Sequence, residues 1–210
     1  LIRALMMDVD GVLVRGRPDD GRPWSTRLEA DLGLRPDDLQ RRFFAPHWDD
    51  IVLGRAGLLD HLPLVLKEIA PHLTPQQLTA YWFEQDSRLD DALLRDLAGF
   101  RAAGMAVHLA TNQEHMRAQH LMEKVGLADH IDGFHYSAAL GYRKPSPDFF
   151  RCVTARVGLA PRNLVLVDDT IENVRAARAT GWHAIHWTGE HPLAALLKPH
   201  LAGRPAARRS

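Results

Sequence analysis

One cysteine, Cys152, stands in the 210 residues, so no disulfide can form within the chain. It lies in an apolar-periodic stretch and is expected to be a small packed residue rather than a nucleophile. An excess of either charge is also missing: Lys+Arg and Asp+Glu both count 26, which removes the electrostatic signature of a nucleic-acid or membrane-surface binder. No run approaches the roughly 18 apolar residues of a membrane span, and no charged leader or signal-type stretch opens the chain. A cytoplasmic monomer or homodimer, with no membrane or nucleic-acid partner, is therefore expected. No His/Cys cluster has zinc spacing, and lysine is scarce, with four positions (67, 124, 144, 198). What is present, 46% apolar and 25% charged residues, is enough to bury an ordinary globular core.

Ile2–Met7 is a short apolar run ending in an acidic, glycine-containing turn, as expected of a strand buried on both faces. Met105–Ala110, Leu164–Val167 and His183–Trp187 repeat the theme, and Ile131–Tyr136 does so more weakly. Helical patterns at 91–103, 113–125, 147–157 and 171–180 alternate with them. The alternation predicts an α/β fold, a Rossmann-like three-layer α/β/α core around a parallel sheet. Ser146-Pro147 and Thr74-Pro75 are helix-start signals, and Gln77 can complete a capping box with Thr74. Gly104, Gly126, Gly158 and Gly181 follow helical stretches as stop signals.

Residues 15–88 break the alternation. They hold no good strand but helical pieces at 24–32, 36–45, 57–70 and 75–86, too long a stretch for a loop. The expected organisation is an α/β core from 1–14 and 89–202, an inserted all-helical domain at 15–88, and a frayed tail at 203–210.

The chemistry-bearing residues fall just after strands: Asp8-Val9-Asp10-Gly11, Thr111-Asn112, Lys144 a short loop beyond Ile131–Tyr136, and Asp168-Asp169. In an open parallel sheet these carboxyl ends lie at one edge, where ligands bind at the reversal of strand order. A lone D-x-D is more often a solvated turn, and Asp168-Asp169 or Thr111 could serve only as helix caps. Gathering several carboxylates is costly unless a cation offsets them. All-oxygen ligands suit Mg²⁺, and Lys144 can supply a point charge. Free N–H groups and a hydroxyl at a helix start make a phosphate seat.

D-V-D-G-V-L, L-A-T-N, R-K-P-S-P and L-V-D-D-T-I-E-N-V, in this order, resemble the haloacid dehalogenase-like hydrolase superfamily over residues 1–14 and 89–190. The signal lies in the combination. K-P-x-P and D-D-x-x-x-N resemble the branch with an inserted helical cap, which includes sugar-phosphate phosphatases of the alpha-glucose-1-phosphate phosphatase type. The resemblance implies Asp8 as nucleophile, forming an aspartyl phosphate, and Asp10 as general acid–base. It implies Mg²⁺ held by Asp8, the Asp10 backbone carbonyl and Asp169, with Asp168 behind them or exchanging with Asp169. Thr111 and Asn112 would hold phosphoryl oxygens, and Lys144 would offset negative charge. A small phosphorylated metabolite is the expected partner. Phosphomutase, 2-haloacid dehalogenase and a non-catalytic binder share the scaffold; an aspartate at position 10, where dehalogenases resemble D-x-Y, favours phosphate transfer. In the insertion, Trp24, His47, Trp48, Arg55 and Trp82 are candidates to face the crevice, although tryptophans at helical spacing are usually core. His115 and Arg143 are further candidates beside the loops.

Overall fold

A computed structural model describes residues 1–201; the end of the core segment at 202 and the tail at 203–210 lie outside the described residues. Five parallel strands, β1 (Ala4–Met7), β2 (Ala106–Thr111), β3 (Gly133–Tyr136), β4 (Leu164–Asp168) and β5 (His183–His186), form one sheet in the order β3-β2-β1-β4-β5. β1 is central, with Met7 level with Leu109 on one side and Val167 on the other. The chain leaves β1 towards β2 and β3, then crosses to β4 and β5. Strand order thus reverses at β1, and the crevice expected at such a point opens beyond Met7.

Alternate residues of the strands feed two apolar clusters, which makes three layers. Leu5, Met7, Val107, Leu109, Val165 and Val167 face one cluster, packed by α6 (Asp91–Ala102), α7 (His115–Glu123) and α11 (Leu193–Leu201). Ala4, Met6, Ala110, Leu164 and Leu166 face the other, covered by α9 (Pro147–Val157) and α10 (Ile171–Ala179). Both faces of β1 and β4 are buried throughout, which explains their continuous apolar runs in the sequence.

Between β1 and α6 a helical unit is built from a 3₁₀ turn (Trp24–Arg27), α1 (Leu28–Leu32), α2 (Pro36–Leu39), α3 (Ala45–Val52), α4 (Leu58–Ile69) and α5 (Pro75–Gln85). It encloses a third apolar cluster around Leu28, Phe43, Ile51, Leu62 and Leu78. The Thr74–Gln77 capping box forms in both directions, and Ser146 caps α9 through the Asp148 N–H. Gly104, Gly126, Gly158 and Gly181 all take positive φ after helices.

Four expectations need correction. The second helical piece does not end at 45: α2 and α3 are joined through one wide π turn, Gln40–Phe44, and the helical run continues to Val52. Pro46 falls where the hydrogen-bond pattern is already irregular, so its missing N–H does not stop the chain. α7 begins at His115, not 113, because Thr111 stays in the strand opposite Tyr136. Its cap is Glu114, whose carboxylate accepts from the N–H groups of Met116 and Arg117. The short α8 (Ser137–Leu140) and α11 had no sequence-based counterpart.

Candidate active site

Asp8 follows the last residue of β1, and its N–H still donates to Val167 O (2.9 Å). The residue is 7% exposed. Oδ1 accepts the Val9 N–H (2.8 Å) and lies 2.9 Å from Lys144 Nζ, which fixes the rotamer. Burial, with the charges of Asp168 and Asp10, outweighs Lys144 and pushes the Asp8 pKa up to about 7. Loss of solvent around the carboxylate is the main cause, and the neighbouring aspartates add to it.

Lys144 is buried between Asp8 and Asp168, 2.6 Å from Asp168 Oδ2. Burial alone would depress the ammonium, but the two flanking carboxylates hold it above its ordinary range. Its loop is fastened by Asn112, whose Oδ1 accepts the Lys144 N–H (2.8 Å) while Nδ2 donates to the Lys144 carbonyl (2.9 Å). The side-chain amide of Asn112 is thus engaged in holding the lysine loop in place. Thr111, buried at the end of β2, remains beside the crevice.

Asp168, fully buried, accepts the Thr170 N–H (2.9 Å) and the Asn173 amide (3.0 Å) as well as Lys144. Both its oxygens are engaged, so it braces the site from behind. Asp169 is more open; burial first, and then Asp168, raises its pKa. One oxygen from each of Asp8, Asp168 and Asp169 lies within 4.8 Å of the others. Gly11, at φ +78°, lets Asp169 close in: a Cβ there would lie 2.0 Å from Asp169 Oδ2. Three clustered carboxylates against one lysine leave surplus negative charge, and an all-oxygen set of this kind fits a hard divalent cation.

Asp10 is exposed and held from two sides. Gln113 Nε2 donates to its Oδ2 (2.6 Å), and Arg117 Nη2 stands 3.7 Å from Oδ1. Arg117 is 1% exposed and donates to the carbonyls of Phe83 (3.2 Å) and Asp86, just past α5. Neither Gln113 nor Arg117 was singled out from sequence. Gln113 follows the T-N pair and could have been found there, whereas Arg117 looks like any solvated helical arginine. Asp86 is pushed up to about 6 by burial and by the nearby Asp10 charge, against the pull of Arg117.

Of the inserted-unit candidates, Trp24, Trp48 and Trp82 line a common cavity. His47 stacks on His61 instead (4.1 Å between centroids), and Arg55 pairs with Asp50 at the surface. Arg143 reaches Asp49 of α3 (2.8 Å). His115 is exposed and meets the Tyr136 hydroxyl.

These elements define a hydrolase of the haloacid dehalogenase type. The chain belongs to the haloacid dehalogenase-like hydrolase family, whose model matches residues 2–181. It is 36% identical to the sesquiterpene phosphatase astK of Aspergillus oryzae, over 89% of this chain and 90% of that one. It is 31% identical to a phosphoglycolate phosphatase of Chromobacterium violaceum, over 88% and 84%. In fold it is similar to a family enzyme, bt-2542, of Bacteroides thetaiotaomicron, solved as a complex with magnesium and inorganic phosphate. That match has a TM-score of 0.77 at 17% identity and covers 93% and 99% of the two chains. No described helix is long and apolar enough to cross a membrane.

Proposed function

We propose that the chain is a magnesium-dependent phosphohydrolase that cleaves a small phosphate monoester through an aspartyl phosphate on Asp8. The observation that carries this reading is the meeting of Asp8, Lys144 and Asp169 at the reversal point of the sheet. Asp8 presents Oδ2, which accepts no hydrogen bond among the described residues, while Oδ1 is held. Attack by Asp8 on phosphorus forms the Asp8–phosphate bond and breaks the bond to the leaving oxygen. Asp10 gives that oxygen its proton, and the alcohol departs. Asp10 then takes a proton from water as the water attacks phosphorus, returning Asp8 and releasing phosphate. Gln113 and Arg117 keep Asp10 oriented for both transfers.

Asp8, the Asp10 carbonyl and Asp169 would hold Mg²⁺, which supplies charge neutralisation for the phosphoryl oxygens when bound. Lys144 offsets the charge of nucleophile and phosphate, and Thr111 holds a phosphoryl oxygen. The helical unit at 15–88 serves as a cap that excludes water from the first step. The named relatives are phosphatases with quite different leaving groups. A sugar phosphate is supported by the motifs and by two further relatives, a phosphorylated carbohydrates phosphatase of Thermotoga maritima and an N-acetylmuramic acid 6-phosphate phosphatase of Pseudomonas aeruginosa.

The test is phosphate release from p-nitrophenyl phosphate with and without Mg²⁺, beside Asp8→Asn. Turnover that needs the metal and vanishes in a folded Asp8→Asn variant is expected. Undiminished turnover in that variant removes the proposal.

A further inference from the structure

The apolar cluster of the helical unit leaves several aromatic rings at its edge rather than in its interior. Trp24 stacks on Trp82 (centroids 5.3 Å apart), Phe44 meets Trp82 and Trp48 edge-on (5.5 and 5.4 Å), and Trp48 tilts against Trp82 (5.9 Å). Trp24, Phe44 and Trp48 are only half-buried. With Leu39 and Asp49 they border a cavity of about 550 Å³, within the span of about 300–1,000 Å³ usual for small-molecule pockets. Under its floor lies a packing void of about 10 Å³, lined by Leu58, Leu62 and Leu78 together with Trp24, Phe44 and Trp82. The floor therefore rests on aliphatic interior, with no buried cation or carboxylate reaching through it.

The walls of this cavity are tied to the catalytic loops at two places. Asp49 pairs with Arg143, the residue before Lys144. The buried Trp82 indole N–H makes no full hydrogen bond but lies close enough to the Asp86 carboxylate to favour its charged form. Asp86 in turn feels the charge of Asp10 and touches Arg117. The group that would protonate a leaving oxygen is thus linked to the aromatic wall through Arg117 and Asp86. Charged side chains among the lining residues are acids, Asp37 and Asp49, which suit neither a second phosphate nor a carboxylate on the leaving group.

We propose that this cavity is the leaving-group subsite, and that it accepts the hydrocarbon body of an apolar alcohol phosphate, long-chain or cyclic, rather than a polyol. The assignment rests on the phosphohydrolase reading for its chemistry and on the four rings for its selectivity. Each methylene transferred from water to such a wall raises kcat/KM about fourfold until the cavity is full. The aromatic rings lose little conformational freedom on binding, so the gain is realised in affinity for the transition state.

The test is a series of n-alkyl phosphates from ethyl to decyl below their micellar concentrations, beside glucose 6-phosphate, with Mg²⁺. A kcat/KM that climbs steadily with chain length and exceeds that for glucose 6-phosphate supports the assignment. A flat series, or a preference for the sugar, overturns it. In Trp48→Ala the decyl-to-ethyl ratio should fall at least tenfold, and an unchanged ratio also overturns it. If no monoester is hydrolysed, the phosphohydrolase reading fails, and the cavity is judged by titrating the intact protein with 1-decanol and following tryptophan fluorescence. A saturable change that Trp48→Ala abolishes supports the apolar subsite; no saturable change overturns it.

Discussion

Lys144→Met should destabilise the metal-free protein by an amount that grows with pH. The ammonium stands 2.9 Å from Asp8 and 2.6 Å from Asp168, with all three groups buried. Methionine keeps most of the volume and removes the charge, leaving two carboxylates facing each other. Loss of one partner from a buried ionic cluster costs about 3–5 kcal/mol. Asp8 sets the pH dependence. Its folded pKa, about 7, lies above the value of 3.8 for an unperturbed carboxyl, so its contribution is fully present at low pH and is lost as pH rises towards 7. Without the lysine its pKa climbs further, and the variant goes on losing stability above pH 7 where the wild type has stopped. The gap should then widen by about 1.4 kcal/mol per pH unit between pH 7 and the new pKa. Below pH 6, where Asp8 is protonated in both proteins, the gap narrows to the loss of the Asp168 contact. Denaturant unfolding in chelator at pH 5.5, 7 and 8.5 measures this directly. A gap that stays constant across that range would refute the reasoning, because the lysine would then not be balancing a titrating carboxylate.

Two further substitutions probe the neighbouring geometry. Gly11→Ala forces a side chain into φ +78°, a left-handed conformation that costs about 1–2 kcal/mol, and pushes Asp169 aside. It should lower the melting temperature and weaken the Mg²⁺-induced thermal shift; an unchanged shift would disconnect Asp169 from the metal. Asp86→Asn removes a carboxyl whose folded pKa of about 6 lies above its unfolded value, so the charged form is a burden that develops as pH rises from about 4 to 6. The variant should be more stable than wild type by about 1–3 kcal/mol at pH 8, with the difference gone by pH 4. Equal stabilities at pH 8 would show that Arg117 fully compensates the aspartate.

Local rules made the core legible. A strand buried on both faces announces itself as an apolar run, and a parallel sheet puts the residue after each run at one edge, so Asp8, Thr111 and Asp168 could be brought together without coordinates. Helix starts at Thr74 and Ser146 were legible for the same reason: the cap and its partner lie within three residues. Features that depend on a distant partner were not. The grip of the Asn112 amide on the backbone of Lys144, 32 positions away, has no signal in the residues around it. The helical piece at 36–45 runs on to Val52 through a wide turn that its residues do not signal.

Arg117 shows the same limit with the largest functional consequence. Nothing in its own helix marks it, because what buries it comes from Phe83 and Asp86, 34 and 31 positions back. The single guanidinium nevertheless joins the chain segment that ends the helical unit to the carboxylate of Asp10. Asp10 is not an independent side chain on a turn, since Gln113 holds one oxygen and an arginine anchored on the inserted unit stands by the other. Any movement of residues 83–86 relative to the sheet therefore moves the positive charge that faces Asp10. The fold thereby couples the position of the inserted helices to the setting of Asp10, the proposed acid–base, through one buried side chain rather than through the loops that flank it.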